Sequence, residues 1–241
     1  MKDIIRIILV LIVSFWSLQV NAQQKKEQIK NLPDFDRQFY HFGFILSLNT
    51  SNTIVEFKEL TTFEDSILAI DIQGQPGFNL GMLASLDMSG NWHLRFIPTL
   101  SFNERILSYT FLLENGSAET INKNVSSTNI DFPLLLKYRT NRMNNIALYA
   151  LLGGQFSLDV ASQKDVNNEN SKDVIIKLDN TNFSASGGLG IDFFLPYFKF
   201  GIELKANIGL KNLLIDDNTD FSAPLKSIRS QSLVISFTFE G

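Results

Sequence analysis

Two histidines are all that the chain carries, and an aspartate stands near both. His41 opens one alternating stretch, Asp87 ends a second and His93 opens a third, with the short piece "DMSGNW" joining the last two. A tight turn there sets Asp87 opposite His93. Imidazole and carboxylate together suit a metal ion or a proton relay. They equally satisfy one another as a hydrogen-bonded plug, which buried polar groups require, and the plug is the favoured reading. No motif for nucleotide binding, nucleophilic catalysis or zinc hydrolysis accompanies them, so no catalytic residue and no cofactor is assigned. The acids Glu56, Glu59, Glu64 and Asp65 lie without a His or Ser–His pairing and read as a solvated loop.

A second set of groups is more numerous. Arg95, Arg105, Lys137, Arg139, Lys199, Lys205 and Lys211 share the face opposite the apolar one with Asp87, Asp131, Asp159, Asp192, Glu203 and Glu240. Interleaved opposite charges on an enclosed face pair with one another, because an unpaired ion there is costly. An ion path is the other use of such a set; a structural network is the favoured one.

The elements that position these residues are strands. In "YHFGFILSLN" every second residue, Tyr40, Phe42, Phe44, Leu46 and Leu48, is apolar, and period two marks a strand with one greasy face. The pattern recurs through Phe78–Met88, Trp92–Phe102, Ile130–Tyr138, Ile146–Leu158, Phe183–Phe193, Phe198–Leu210 and Leu233–Phe239. That makes eight strands. Connections at Ser89–Asn91, Thr140–Asn145 and Leu195–Tyr197 are short. Those at Asn49–Gly77, Asn103–Asn129, Val160–Asn182 and Asn212–Ser230 are long and polar.

Alternation alone does not say which face points inward, since a soluble barrel alternates too. Short turns at one rim and long loops at the other are the habit of outer-membrane barrels. Tyr40, Trp92, Tyr138, Tyr197 and Phe239 gather at the short-turn rim, as a membrane interface selects. The expected fold is therefore all-β: an eight-stranded antiparallel up-and-down transmembrane β-barrel, apolar outside, over residues 39–241.

Residues 1–22 read as a signal peptide, with Lys2 and Arg6, the apolar run "IILVLIVSFW" and cleavage after Ala22; a retained anchor helix is the alternative. Residues 23–38 read as a polar periplasmic tether, and less simply as a docking segment. The expected place is the bacterial outer membrane, with its lipid as a partner. A net charge of −4 without a basic cluster points away from nucleic acid. Zero cysteines exclude a disulfide framework and a zinc–thiolate site.

The pieces "YHFGFILSLN", "LRFIPTLSFNERILSY", "STNIDFPLLLKYRTNR", "DFFLPYFKFGIELKANIGL" and "SLVISFTFE" resemble, in order, the PorT family of outer-membrane proteins associated with type IX secretion and gliding motility. "LRFIPTLSFNER" and "FPLLLKY" are the more specific of them. Ser47 stands where that family's first strand often has Gly. The resemblance implies an accessory role in exporting cargo, with other secretion-machine proteins as partners, and brings no catalytic residues or small-molecule substrate. An outer-membrane protease or lipid hydrolase, or a narrow ion pore or adhesin barrel, are the alternatives.

Overall fold

The computed structural model describes residues 30–57, 67–112, 117–161, 179–215 and 225–241. The expected signal peptide, the tether up to residue 29, and Glu59, Glu64 and Asp65 lie outside the described residues, as does the side chain of Arg105. Asn31–Gly241 is one unit. After a single 3-10 turn at Phe35–Arg37 come β1 (Tyr40–Phe57), β2 (Ile67–Gly74), β3 (Pro76–Ser89), β4 (Trp92–Phe96), β5 (Thr99–Leu112), β6 (Ala118–Arg139), β7 (Ile146–Asp159), β8 (Thr181–Phe194), β9 (Lys199–Gly209) and β10 (Leu225–Glu240).

Among the described residues, ten segments make eight staves. β2 and β3 are one stave interrupted at Gln75, and β4 and β5 are one stave interrupted at Ile97–Pro98. Proline has no N–H to give to a ladder, yet pairing barely lapses there: Met82 N–H donates to the Pro98 carbonyl and Ile97 N–H to Pro133. All neighbours are antiparallel, and β1 pairs with β10 on one side and β3 on the other, so the ring closes.

The register fixes the girth. Paired residues run Phe42, Ala84, Phe96, Leu134, Gly154, Ala185, Ile208, Gln231 and back to β1 at Asn52, ten residues beyond the start. Eight strands with that stagger tilt by about 40° and enclose a backbone radius of roughly 8 Å. Such a ring holds side chains and little else.

The faces are as the alternation predicts, apolar outside. On β1, Phe42 is 67% exposed and Leu48 61%, while His41 is 1% and Ser47 6%. Leu152, Leu189, Met82 and Leu204 continue the belt on other staves. Across it run phenylalanine ladders, Phe96–Phe132–Phe156–Phe183 and Phe193–Phe200–Phe239–Phe44, with neighbouring ring centroids 4.7 to 6.5 Å apart. The interface aromatics sit at the expected rim: Trp92 pairs with Tyr138 across strands, and Tyr40 and Tyr197 are exposed.

Two of the long connections are mostly strand. β1 runs to Phe57 and β2 begins at Ile67; β5 runs to Leu112 and β6 begins at Ala118. β10 likewise begins at Leu225, within the stretch read as the last long loop. Beyond the apolar belt both faces meet water, so side-chain alternation fades while backbone pairing continues. The short turns are tight for local reasons. Gly90 has φ +52° in Ser89–Asn91, and Asn144 has φ +59° in the next turn, both left-handed positions that suit Gly and Asn.

Phe44→Lys and Ile202→Lys should each destabilise the barrel by about 2–4 kcal/mol, since a Lys near mid-bilayer on the lipid face costs that much. Ser47→Lys, which points into the lumen, should cost less. Urea unfolding from lipid vesicles ranks them, and the opposite ranking would mean that lipid meets the other face.

Candidate functional site

The inward positions form a stack of obstructions. At the centre, Arg95 of β4 is fully buried and bonds two acids, Glu203 of β9 and, at 2.6 Å, Glu240 of β10. Lys199 also reaches Glu240 at 2.8 Å, and Lys137 reaches Asp192 at 2.7 Å. Tyr149 ties the two halves together. Its hydroxyl donates to Glu203 at 2.9 Å, and Lys137 Nζ lies 3.6 Å from its ring centroid, a cation–π contact. The ring has room because its cross-strand neighbour is Gly190, where a Cβ would overlap it. Ile45, Leu83, Ile97, Leu135 and Leu151 pack beside Tyr149 as an apolar layer inside the lumen.

Of the charges read as a lumen network, Arg95, Lys137, Asp192 and Glu203 do meet. Asp131 and Lys205 face the lumen but, among the described residues, neither has an ion partner within 4.0 Å. They line a cavity of about 90 Å³ toward the long-loop end, walled by Ser, Thr and Asn side chains. Lys211 is not in the lumen network: it is at the long-loop rim, partly exposed, paired with Asp179 at 2.7 Å. It falls at the end of β9 where the inward row runs out into water. Lys199 and Glu240, charged positions of the same inward face, complete the network as the alternation expects, and Tyr149 joins it without having been singled out. Tyr149 hid because an inward Tyr among apolar residues carries no signal of its own; the close contact with Gly190 appears only once register is known.

His41, Asp87 and His93 are brought together near the short-turn rim. Asp87 pairs in register with His93 and its carboxylate takes His93 Nδ1 on one oxygen, with His41 Nε2 3.5 Å from the other. The carboxylate lies between the rings, and among the described residues no three such groups are placed to hold a metal ion.

The short-turn mouth is closed by the chain's own N-terminal segment. Phe35 sits on the His41 ring, centroids 3.7 Å apart and nearly parallel, with its edge toward Phe194. Asp36 lies between Arg139 and Arg142, each 2.8 Å away on a different carboxylate oxygen. Burial draws the Arg142 pKa down from the usual guanidinium value, and Asp36 opposes that. Asn31 N–H donates to the Asn145 side chain, and its own amide donates to the Phe194 carbonyl, both at 2.9 Å. Over residues 31–38, the expected tether is thus a docked cap.

The profile of a family described as outer membrane protein beta-barrel domain matches residues 21–214. Among curated proteins, none matches the chain by sequence. Solved structures with a similar course include the outer membrane protein OprG from Pseudomonas aeruginosa, 11% identical over 84% of this chain and 95% of that one, with a TM-score of 0.46. Ail, the attachment invasion locus protein of Yersinia pestis, is 13% identical over 85% of this chain and all of that one, TM-score 0.41. The outer membrane protease OmpT from Escherichia coli is 10% identical over 89% of this chain and 98% of that one, TM-score 0.38.

Glu203→Gln should destabilise the folded barrel by about 3–5 kcal/mol by leaving Arg95 short of a charge partner. Adding Arg95→Met should recover part of that loss, because Glu240 keeps Lys199. Heat-induced loss of the folded band on gels, or urea unfolding from vesicles, reads both. Strictly additive losses would mean that the buried ion pair is not coupled.

Proposed function

The chain belongs to the outer membrane protein beta-barrel domain family and is an outer-membrane protein, and from that premise we propose that it is a non-enzymatic accessory of type IX protein secretion. The observation that carries this is the obstructed lumen. A backbone radius of roughly 8 Å is filled in turn by the cap, the Arg95–Glu203–Glu240 cluster and the apolar layer around Tyr149. No folded cargo passes such a lumen, so any part in export is performed on the protein's surfaces. The sequence resemblance to the PorT family supports the choice of type IX export, and it extends to gliding motility as a linked process.

In this reading the signal peptide is removed after Ala22, and residues from Gln23 lead to the cap on the periplasmic side. The lipid-facing wall, the long-loop rim and the periplasmic mouth are the surfaces open to other secretion-machine proteins. Loops on a rigid scaffold commonly carry such contacts. The protein performs no chemistry on a small-molecule substrate and uses no cofactor.

Deleting the gene should block release of type IX cargo while leaving other outer-membrane proteins in place. Cutting back residues 24–30, or residues 167–172, should reduce secretion with the barrel still folded by heat-induced gel shift. Normal secretion without the protein, or hydrolytic activity of the purified barrel on protein or lipid, would overturn the accessory reading.

A further inference from the structure

We infer that the short-turn mouth is a peptide-binding socket for an aromatic residue followed directly by an acid, occupied here by Phe35–Asp36 and open to a periplasmic partner bearing the same pair. Within Asn31–Gln38, Phe35 is the one buried residue, 5% exposed. It enters a built recess. His41 supplies a flat face, Phe194 and Ala147 supply walls, and Lys199 Nζ stands 4.5 Å from the ring centroid. A ring stacked on an imidazole, with an ammonium 4.5 Å from its centroid, answers to an aromatic, whose negative face attracts cations; an aliphatic side chain gains neither contact. The next position is read by two arginines, one to each oxygen of the Asp36 carboxylate. Arg142 then donates from Nη1 to the Asn31 carbonyl at 2.9 Å, so the same guanidinium grips the peptide's backbone.

The occupant is held at two places, by the Phe35 ring with the Asp36 carboxylate and by the hydrogen bonds of Asn31, and only the first reads side-chain chemistry in the recess. Leu32 is bent into the left-handed region at φ +49°, which disfavours an L residue with a Cβ. The Asp34–Arg37 pair is exposed on both sides and contributes little. Its covalent link to β1 adds a high effective concentration at the mouth. A partner that brings the same pair together with further contacts of its own competes for the recess. Short turns of outer-membrane barrels face the periplasm, so that is where the partner is met. The socket deepens the accessory reading by naming the partner's chemistry, but its test does not pass through secretion.

The test uses the full chain with Phe35→Ala and Asp36→Asn in detergent micelles, and a fluorescent peptide of the sequence Asn31–Gln38. Anisotropy should show saturable binding to this variant and binding at least tenfold weaker to the unaltered chain, whose own segment fills the recess. A peptide that keeps the Phe-Asp pair but carries Ala elsewhere should bind within tenfold of the first. A peptide changed at that pair should lose binding, as should a chain carrying Arg142→Met as well. If the variant does not fold, excess peptide added to the unaltered chain should speed tryptic cleavage after Arg37 while the barrel stays intact. No saturable binding to the folded variant, equal binding of the altered peptide, or an unchanged cleavage rate in the fallback would each overturn the proposal. Loss of peptide binding with normal dependence of secretion on the protein would remove the socket alone; the converse would remove the secretion role alone.

Discussion

Everything in this structure follows from the lack of hydrogen-bond partners in hydrocarbon. Each backbone N–H and C=O in the bilayer must be paired within the protein, so the sheet has to close. Here closure is the pairing of β1 with both β10 and β3. With eight strands and a stagger of ten, that requirement also sets the width of the lumen, and the width decides what can pass through it. The polarity of a soluble protein is inverted as a consequence: phenylalanine and leucine outside, arginine and glutamate within.

A narrow lumen then has to be filled by groups that tolerate one another. Charges taken out of water need close partners, and Arg95 with Glu203, Glu240 and, through Glu240, Lys199 supplies them. Tyr149 joins this cluster to the apolar layer beside it, since its ring packs with Leu135 and Leu151 while its hydroxyl bonds Glu203. Polar and apolar filling are therefore one packed body. Toward the long-loop end the filling thins to Ser and Asn, and the inner face holds a cavity there.

The parts legible in the sequence are those ruled by period two. Tyr40 to Leu48 point outward and His41 to Asn49 inward as the alternation predicts, and Asp87 meets His93 across the turn that "SGN" announces. What period two does not encode is how far a strand continues once both its faces are wet, so β1, β5, β6 and β10 outrun the alternating stretches. It is equally silent on contacts between strands far apart in the chain. Arg95 and Glu240 are 145 residues apart, and nothing local to either names the other. The cap shows the same limit in another form. "NLPDFDRQ" is polar, charged and broken by proline, the composition of a linker, and its docking depends on one phenylalanine finding His41 and one aspartate finding two arginines.

The lumen is obstructed by the cap, the Arg95 cluster and the apolar layer around Tyr149. Single-channel recording of the folded protein in a planar bilayer tests it most directly. The intact chain should leave the membrane silent, with no stepwise conductance. Stable steps of a size that requires a continuous water-filled pore would contradict it, because they could arise only if the Arg95 cluster and the cap did not fill the lumen as described.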